Sequence, residues 1–175
     1  MLRPALLLVS LAVAGLGCGR RGATLAEPKE PTIKPGEIGS LLPEFSVKDF
    51  EGHEISSRKL GGKVVLVDFW ATWCQPCGKE MPGYQALLNK YASRGFSVIG
   101  FKFDTMMDTE DPLVFAKRLG VRYPLAVASD AVKNKFGGIE GLPTTMLYDR
   151  HGILREKIIG FEYTDVIGSE LKPLL

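Results

Sequence analysis

Cysteine and histidine are scarce in this 175-residue chain, with three cysteines and two histidines, His53 and His151. A structural zinc site needs four thiolate or imidazole ligands, usually as two close pairs. Only Cys74 and Cys77 form a close pair, and neither histidine stands at a ligand spacing from it. No metal site is expected. Three cysteines also cannot build the disulfide framework that staples small secreted domains. Charge of one sign is missing too, because 22 Lys and Arg against 20 Asp and Glu leave a net +2. Nucleic-acid binding demands a concentrated basic face, so no such partner is expected. An apolar run of about 20 residues, the length of a permanent membrane helix, is absent as well. The glycine-rich stretch Phe136-Gly137-Gly138-Ile139-Glu140-Gly141 leads into a proline and a strand, so it reads as a loop and not a phosphate cradle. No cofactor is expected.

What is present begins with residues 4–16, an apolar stretch behind the basic start Met1-Leu2-Arg3. Its length suits a secretory signal. It closes on Gly15-Leu16-Gly17-Cys18, which resembles the lipobox of bacterial lipoproteins, with Gly15 where a leucine is usual. The resemblance implies removal of residues 1–17 as a signal peptide, acylation of Cys18 and anchoring to a membrane through that lipid. The domain would then lie in the cell envelope, outside the cytoplasm. The plainer alternative is a cleaved signal with an incidental cysteine. Residues 18–38 carry Pro28, Pro31 and Pro35 with few apolar anchors and read as an extended tether. Residues 39–175 have the length and the apolar content of one folded domain, expected as a monomer.

Within it, residues 45–47 and 53–55 flank a turn-forming stretch and predict a hairpin, with one helical turn at 56–60. Val64-Val65-Leu66-Val67-Asp68-Phe69-Trp70 is rich in β-branched residues, as a strand covered on both faces should be. A helix is expected from Cys74 to about Ser93, with a kink at Pro82. A second buried strand follows at 96–103, then a helix at 111–119, a short strand at 125–128 and a helix at 130–136. Strands at 144–148 and 153–159 share a turn. A closing helix over 162–175 sets Val166, Ile167, Leu171 and Leu174 on one face. The alternation predicts an α/β domain with a mixed central sheet and helices on both faces.

Cys74 and Cys77 sit where the first buried strand passes into a helix. Free N–H groups and the positive dipole end of a helix stabilise a thiolate. Cys74 is expected as the first helical residue, exposed and attacking. Cys77, one turn in, is expected to be shielded and to resolve the mixed disulfide. Glu80 follows Cys77 by three positions and shares its helix face. A half-buried carboxyl there would exchange protons with the inner thiol; the plainer reading is a solvated helix glutamate. Asp68 interrupts the most apolar strand, where an unpaired carboxylate is costly, which favours proton transfer over a stabilising role. The plainer reading is a strand-end aspartate that reaches water.

The segment from Val67 to Cys77 resembles the thioredoxin active-site motif, and Gly78-Lys79-Glu80-Met81-Pro82 resembles the TlpA/ResA branch of exported thioredoxin-like proteins. That resemblance implies a thioredoxin fold with a strand–helix insertion over residues 103–130. It also implies a cis proline at Pro143, with the backbone of Leu142 pairing to an extended client. Trp73, Gln75 and Pro76 would complete the client-facing rim. The expected activity is a dithiol reductant of exported client disulfides, with apocytochrome c as one client class and a membrane thiol–disulfide transporter as electron donor. Two alternatives stand beside it. A peroxidase on this scaffold resembles a Thr-x-x-Cys pattern, but Ala71 holds that threonine position. A metal-delivery module resembles Cys-x-x-x-Cys with a histidine, and this chain has neither.

Overall fold

The computed structural model describes residues 33–175. The expected signal segment, Cys18 and the tether as far as residue 32 lie outside the described residues. The elements run β1 (Ser46–Lys48), β2 (Glu54–Ser56), β3 (Val64–Trp70), α1 (Gln75–Tyr91), β4 (Phe96–Lys102), α2 (Pro112–Arg118), β5 (Leu125–Val127), α3 (Asp130–Lys135), β6 (Thr144–Tyr148), β7 (Leu154–Ile159) and α4 (Thr164–Leu171).

All seven residues of β3 are buried, which requires neighbours on both edges and cover on both faces. The sheet order β5-β4-β3-β6-β7 supplies the neighbours. β4 pairs with β3 in parallel, Asp68 opposite Gly100, and β6 pairs antiparallel, Asp68 opposite Thr145. Side chains alternate along a strand, and this splits the core into two layers. Val64, Leu66 and Trp70 pack with residues of α1, α2 and α4, whereas Val65, Val67 and Phe69 pack with the hairpin and α3. Each fully enclosed valine or leucine contributes roughly 1.5–3 kcal/mol relative to an exposed one. By the same alternation Asp68 falls on the α1 face, between Leu66 and Trp70.

The expected insertion carries α2 and then β5, which forms a sheet edge. The β1–β2 hairpin docks beside that edge, with Asp49 bridged to Ala126 and the Phe50 amide donating to the Leu125 carbonyl at 2.9 Å. Covering an edge in this way blocks pairing with other chains. The stretch expected as tether ends against the fold: Gly36 lies on the Phe136 carbonyl and Gly137 on the Pro35 carbonyl, and both have positive φ. A side chain at either position would meet backbone.

Three local expectations shift. α1 starts at Gln75 and yields to a 3₁₀ turn at Ala92–Arg94, with Pro82 inside it. α4 begins at Thr164 and passes into a 3₁₀ turn at Lys172–Leu174. Val166 is exposed and not part of the packed face, because Ile167 and Leu171, one turn apart, already point inward.

Candidate active site

The turn between β3 and α1 brings the two cysteines together, and a disulfide joins them, with Cα atoms 5.3 Å apart. Cys74 is the N-cap of α1, with extended backbone at φ −81° and ψ 95°, and its Sγ accepts the Cys77 amide at 3.3 Å. This corrects two expectations. Cys74 precedes the first helical residue, and it is buried along with Cys77. As an N-cap its side chain turns back over the first helical turn, so the sulfur lies at the free N–H groups themselves. The rim around it is open, with Trp73, Gln75 and Pro76 exposed.

Below the pair, α1 presents Cys77, Glu80, Met81 and Tyr84 to the sheet, a helical face read at three- and four-residue steps. Glu80 is 2% exposed and is not a solvated helix residue. Its Oε1 accepts the backbone amide of Glu162 at 2.5 Å, while Oε2 is buried with no hydrogen-bond partner. Burial pushes its carboxyl up to about 7, against the lowering effect of the Glu162 amide and the Tyr84 hydroxyl and with the Glu162 charge adding to the rise. Asp68 is 1% exposed, does not reach water, and has Oδ1 unpartnered. Burial, then the neighbouring Glu80, holds its carboxyl well above the ordinary range. Both acids are therefore shifted toward the neutral form, for the same reason: a carboxylate without full hydrogen bonding is costly inside a protein.

Sequence reasoning missed the rest of this buried cluster. The Tyr84 hydroxyl pairs with Thr145 Oγ1 at 2.8 Å, and the hydroxyl of Tyr123 is buried without a partner. Burial first, then the nearby Asp68, Tyr84 and Glu80, raises Tyr123 well above the ordinary tyrosine range. No local signal marks Glu162 or Tyr123, since their proximity is long-range.

The Leu142–Pro143 peptide bond is cis. Because Phe69 pairs with Thr144, Pro143 lies at the end of the sheet where β3 runs into the cysteine turn. Leu142 packs against the core layer that contains Cys74 and Cys77. Among the described residues, the one group of three that brings potential metal ligands together is Asp49, Glu51 and His53. It sits in the hairpin turn, where Asp49 Oδ1 is already occupied by the amides of Glu51 and His53 at 3.0 and 2.7 Å.

Residues 38–157 match the AhpC/TSA family. The chain belongs to that family. Thiol-disulfide oxidoreductase ResA of Bacillus cereus is 35% identical over 158 residues, covering 90% of each chain. ResA of Geobacillus thermodenitrificans is 34% identical over 139 residues, 78% of each chain. Among solved structures, a thioredoxin-family thiol:disulfide interchange protein of Chlorobium tepidum TLS aligns with a TM-score of 0.71 and 30% identity, over 78% of this chain and 96% of its own. This AhpC/TSA member accordingly has the thioredoxin fold expected of it. Relatives named as thiol–disulfide oxidoreductases and a Cys-x-x-Cys pair at bonding distance place its chemistry in protein thiol–disulfide exchange.

Proposed function

We propose that the chain is a dithiol reductant of the cell envelope that acts on disulfides of exported clients. In the reduced state the Cys74 thiolate attacks a client disulfide, and one client sulfur leaves as a thiolate. Cys77 then gives up its proton and attacks Cys74 Sγ. The second client sulfur leaves, both electrons have passed to the client, and Cys74–Cys77 is a disulfide again. The observation that carries this reading is the buried Glu80 one helical turn behind Cys77, with the buried Asp68 on the same side of the sheet. With its carboxyl raised to about 7, Glu80 is available near neutrality as the carboxylate that takes the thiol proton and then gives it up again.

Trp73, Gln75 and Pro76 with the Leu142 backbone form the client-facing rim, and the cis Pro143 shapes it. Apocytochrome c thiols are the client class that the TlpA/ResA resemblance favours. A membrane thiol–disulfide transporter would restore the dithiol, and a lipid on Cys18 would hold the chain at the membrane. No described helix is long and apolar enough to cross a membrane, so anchoring through Cys18 does not compete with a span among the described residues.

The residues present count against the peroxidase and metal-delivery alternatives. Ala71 offers no hydroxyl to a peroxide, and the three clustered ligand residues lie on the hairpin, not on α1. Redox titration of the Cys74–Cys77 couple against glutathione tests the direction. A potential near about −270 mV fits a reductant, and one near about −120 mV would make the chain an oxidant. Disulfide reduction that persists in the purified Cys74→Ala chain would overturn the exchange reading itself.

A further inference from the structure

The two residues ahead of Cys74 are held by a loop 32 to 37 positions further along the chain. Thr72 is buried. Its Oγ1 donates to Asp108 Oδ1 at 2.9 Å and accepts the Thr109 amide at 3.0 Å, and its carbonyl accepts the Thr109 hydroxyl at 3.3 Å. The Trp73 indole N–H donates to Thr105 Oγ1 at 2.9 Å, an atom that also accepts the Met107 amide at 3.3 Å. Asp108 is the joint between these contacts, since its Oδ2 accepts the Thr105 amide at 3.1 Å and the Lys102 ammonium at 2.5 Å.

Lys102 closes β4 with its side chain only 4% exposed, and its carboxylate partners are Asp108 and, at 3.3 Å, Asp104. A cation so enclosed is tolerated only when it is paired. Burial opposes the charge on Asp108, yet hydrogen bonds from Lys102, the Thr105 amide and Thr72 hold its carboxyl below the ordinary range. The ion pair therefore fixes an otherwise surface loop to the end of the sheet, and the loop fixes Thr72 and Trp73. None of these bonds reaches a sulfur, so the consequence runs through the indole. A large aromatic held in one orientation meets a partner with little ordering cost.

We propose that Asp108 is a positioning residue for client exchange: anchored on Lys102, it orders the 104–109 loop so that Thr105 holds Trp73 as a rigid wall beside Cys74. The proposal rests on the reading of the chain as a reductant of client disulfides, and names what shapes its client surface.

The test uses the full-length chain with Asp108→Asn, which keeps the size but removes the charge, and Thr105→Val, which removes the hydroxyl that accepts from the Trp73 indole and the Met107 amide. Acrylamide quenching reports Trp73 directly, because Trp70 is fully enclosed. Quenching should rise in both variants. The KM for a disulfide-bonded peptide should rise about three- to ten-fold, the size of one lost hydrogen bond. The kcat for that peptide and the rate with the small disulfide dithiobis(nitrobenzoate) should stay within about two-fold. Unchanged quenching and peptide KM in Thr105→Val would overturn the proposal, as would equal slowing of peptide and small disulfide. Should Asp108→Asn fail to fold, Thr105→Val decides, because it leaves the ion pair intact. A wild-type chain that reduces neither disulfide would sink the reductant reading, while the quenching result would still judge this one.

Discussion

Glu80 on α1 accepts the backbone amide of Glu162, 82 residues further along, through one carboxylate oxygen while its other oxygen has no partner. One side of the acid is thus held by the segment leading into α4, and the other is buried without a partner. A group bonded on one side only and buried holds its proton to higher pH, and a carboxyl that titrates near neutrality can take a thiol proton as the carboxylate and release it after each turnover.

The raised Glu80 pKa has a stability consequence with a definite sign. Between the ordinary value of 4.5 and about 7, the folded state holds a proton that the unfolded state has released. Stability contributed by the neutral form is complete below the ordinary value and is lost as pH rises through about 7. The loss is roughly 3 kcal/mol at most. Glu80→Gln keeps the acceptor for the Glu162 amide but cannot ionise. Urea unfolding from pH 4 to 8 should show the decline in wild type and a flatter profile in Glu80→Gln; parallel profiles would contradict this.

Asp68 acts in the same direction, because burial holds its carboxyl well above the ordinary range. Below the ordinary value of 3.8 Asp68→Asn should change stability little, since the carboxyl is then neutral in folded and unfolded chains alike. As pH rises above that value the variant should become progressively more stable than wild type, because the unfolded wild-type chain releases a proton that the folded one keeps. A gap between the two that stays constant with pH would show that Asp68 is not protonated in the fold.

Cys77→Ser should stall the exchange after its first step, leaving Cys74 covalently joined to the client. Non-reducing electrophoresis or mass spectrometry of the variant with a peptide disulfide should reveal the adduct, and Cys74→Ser should give none. Adducts at equal levels in both variants would remove the distinction between attacking and resolving sulfurs.

Phe136 tests the layer on the far side of the sheet. It is completely buried and meets the rings of Phe45, Phe69, Phe101 and Tyr148 at centroid distances of 5.3 to 6.4 Å. Phe136→Ala should cost about 3–5 kcal/mol in chemical unfolding. The rate of Cys74 alkylation in the folded, reduced protein should be unaffected, because the cysteines belong to the opposite layer. Slower alkylation at full folding would show that the two layers are coupled.

Much of this molecule was legible in the order of its residues. A strand enclosed on both faces must be almost wholly apolar, so Val64–Trp70 announces itself, as does the helix face shared by Cys77 and Glu80 three positions apart. The redox pair and the suspect proline at 143 were likewise local features. Tertiary structure alone decided that Cys74 caps the helix and turns inward, that Glu162 restrains Glu80, that Tyr123 joins the acids, and that Lys102 and Asp108 reach Thr72 and Trp73. Periodicity records which way a side chain faces its own element's surroundings. A hydrogen bond between groups 30 or 80 residues apart leaves no periodic trace, and exists only once the sheet has set those segments side by side.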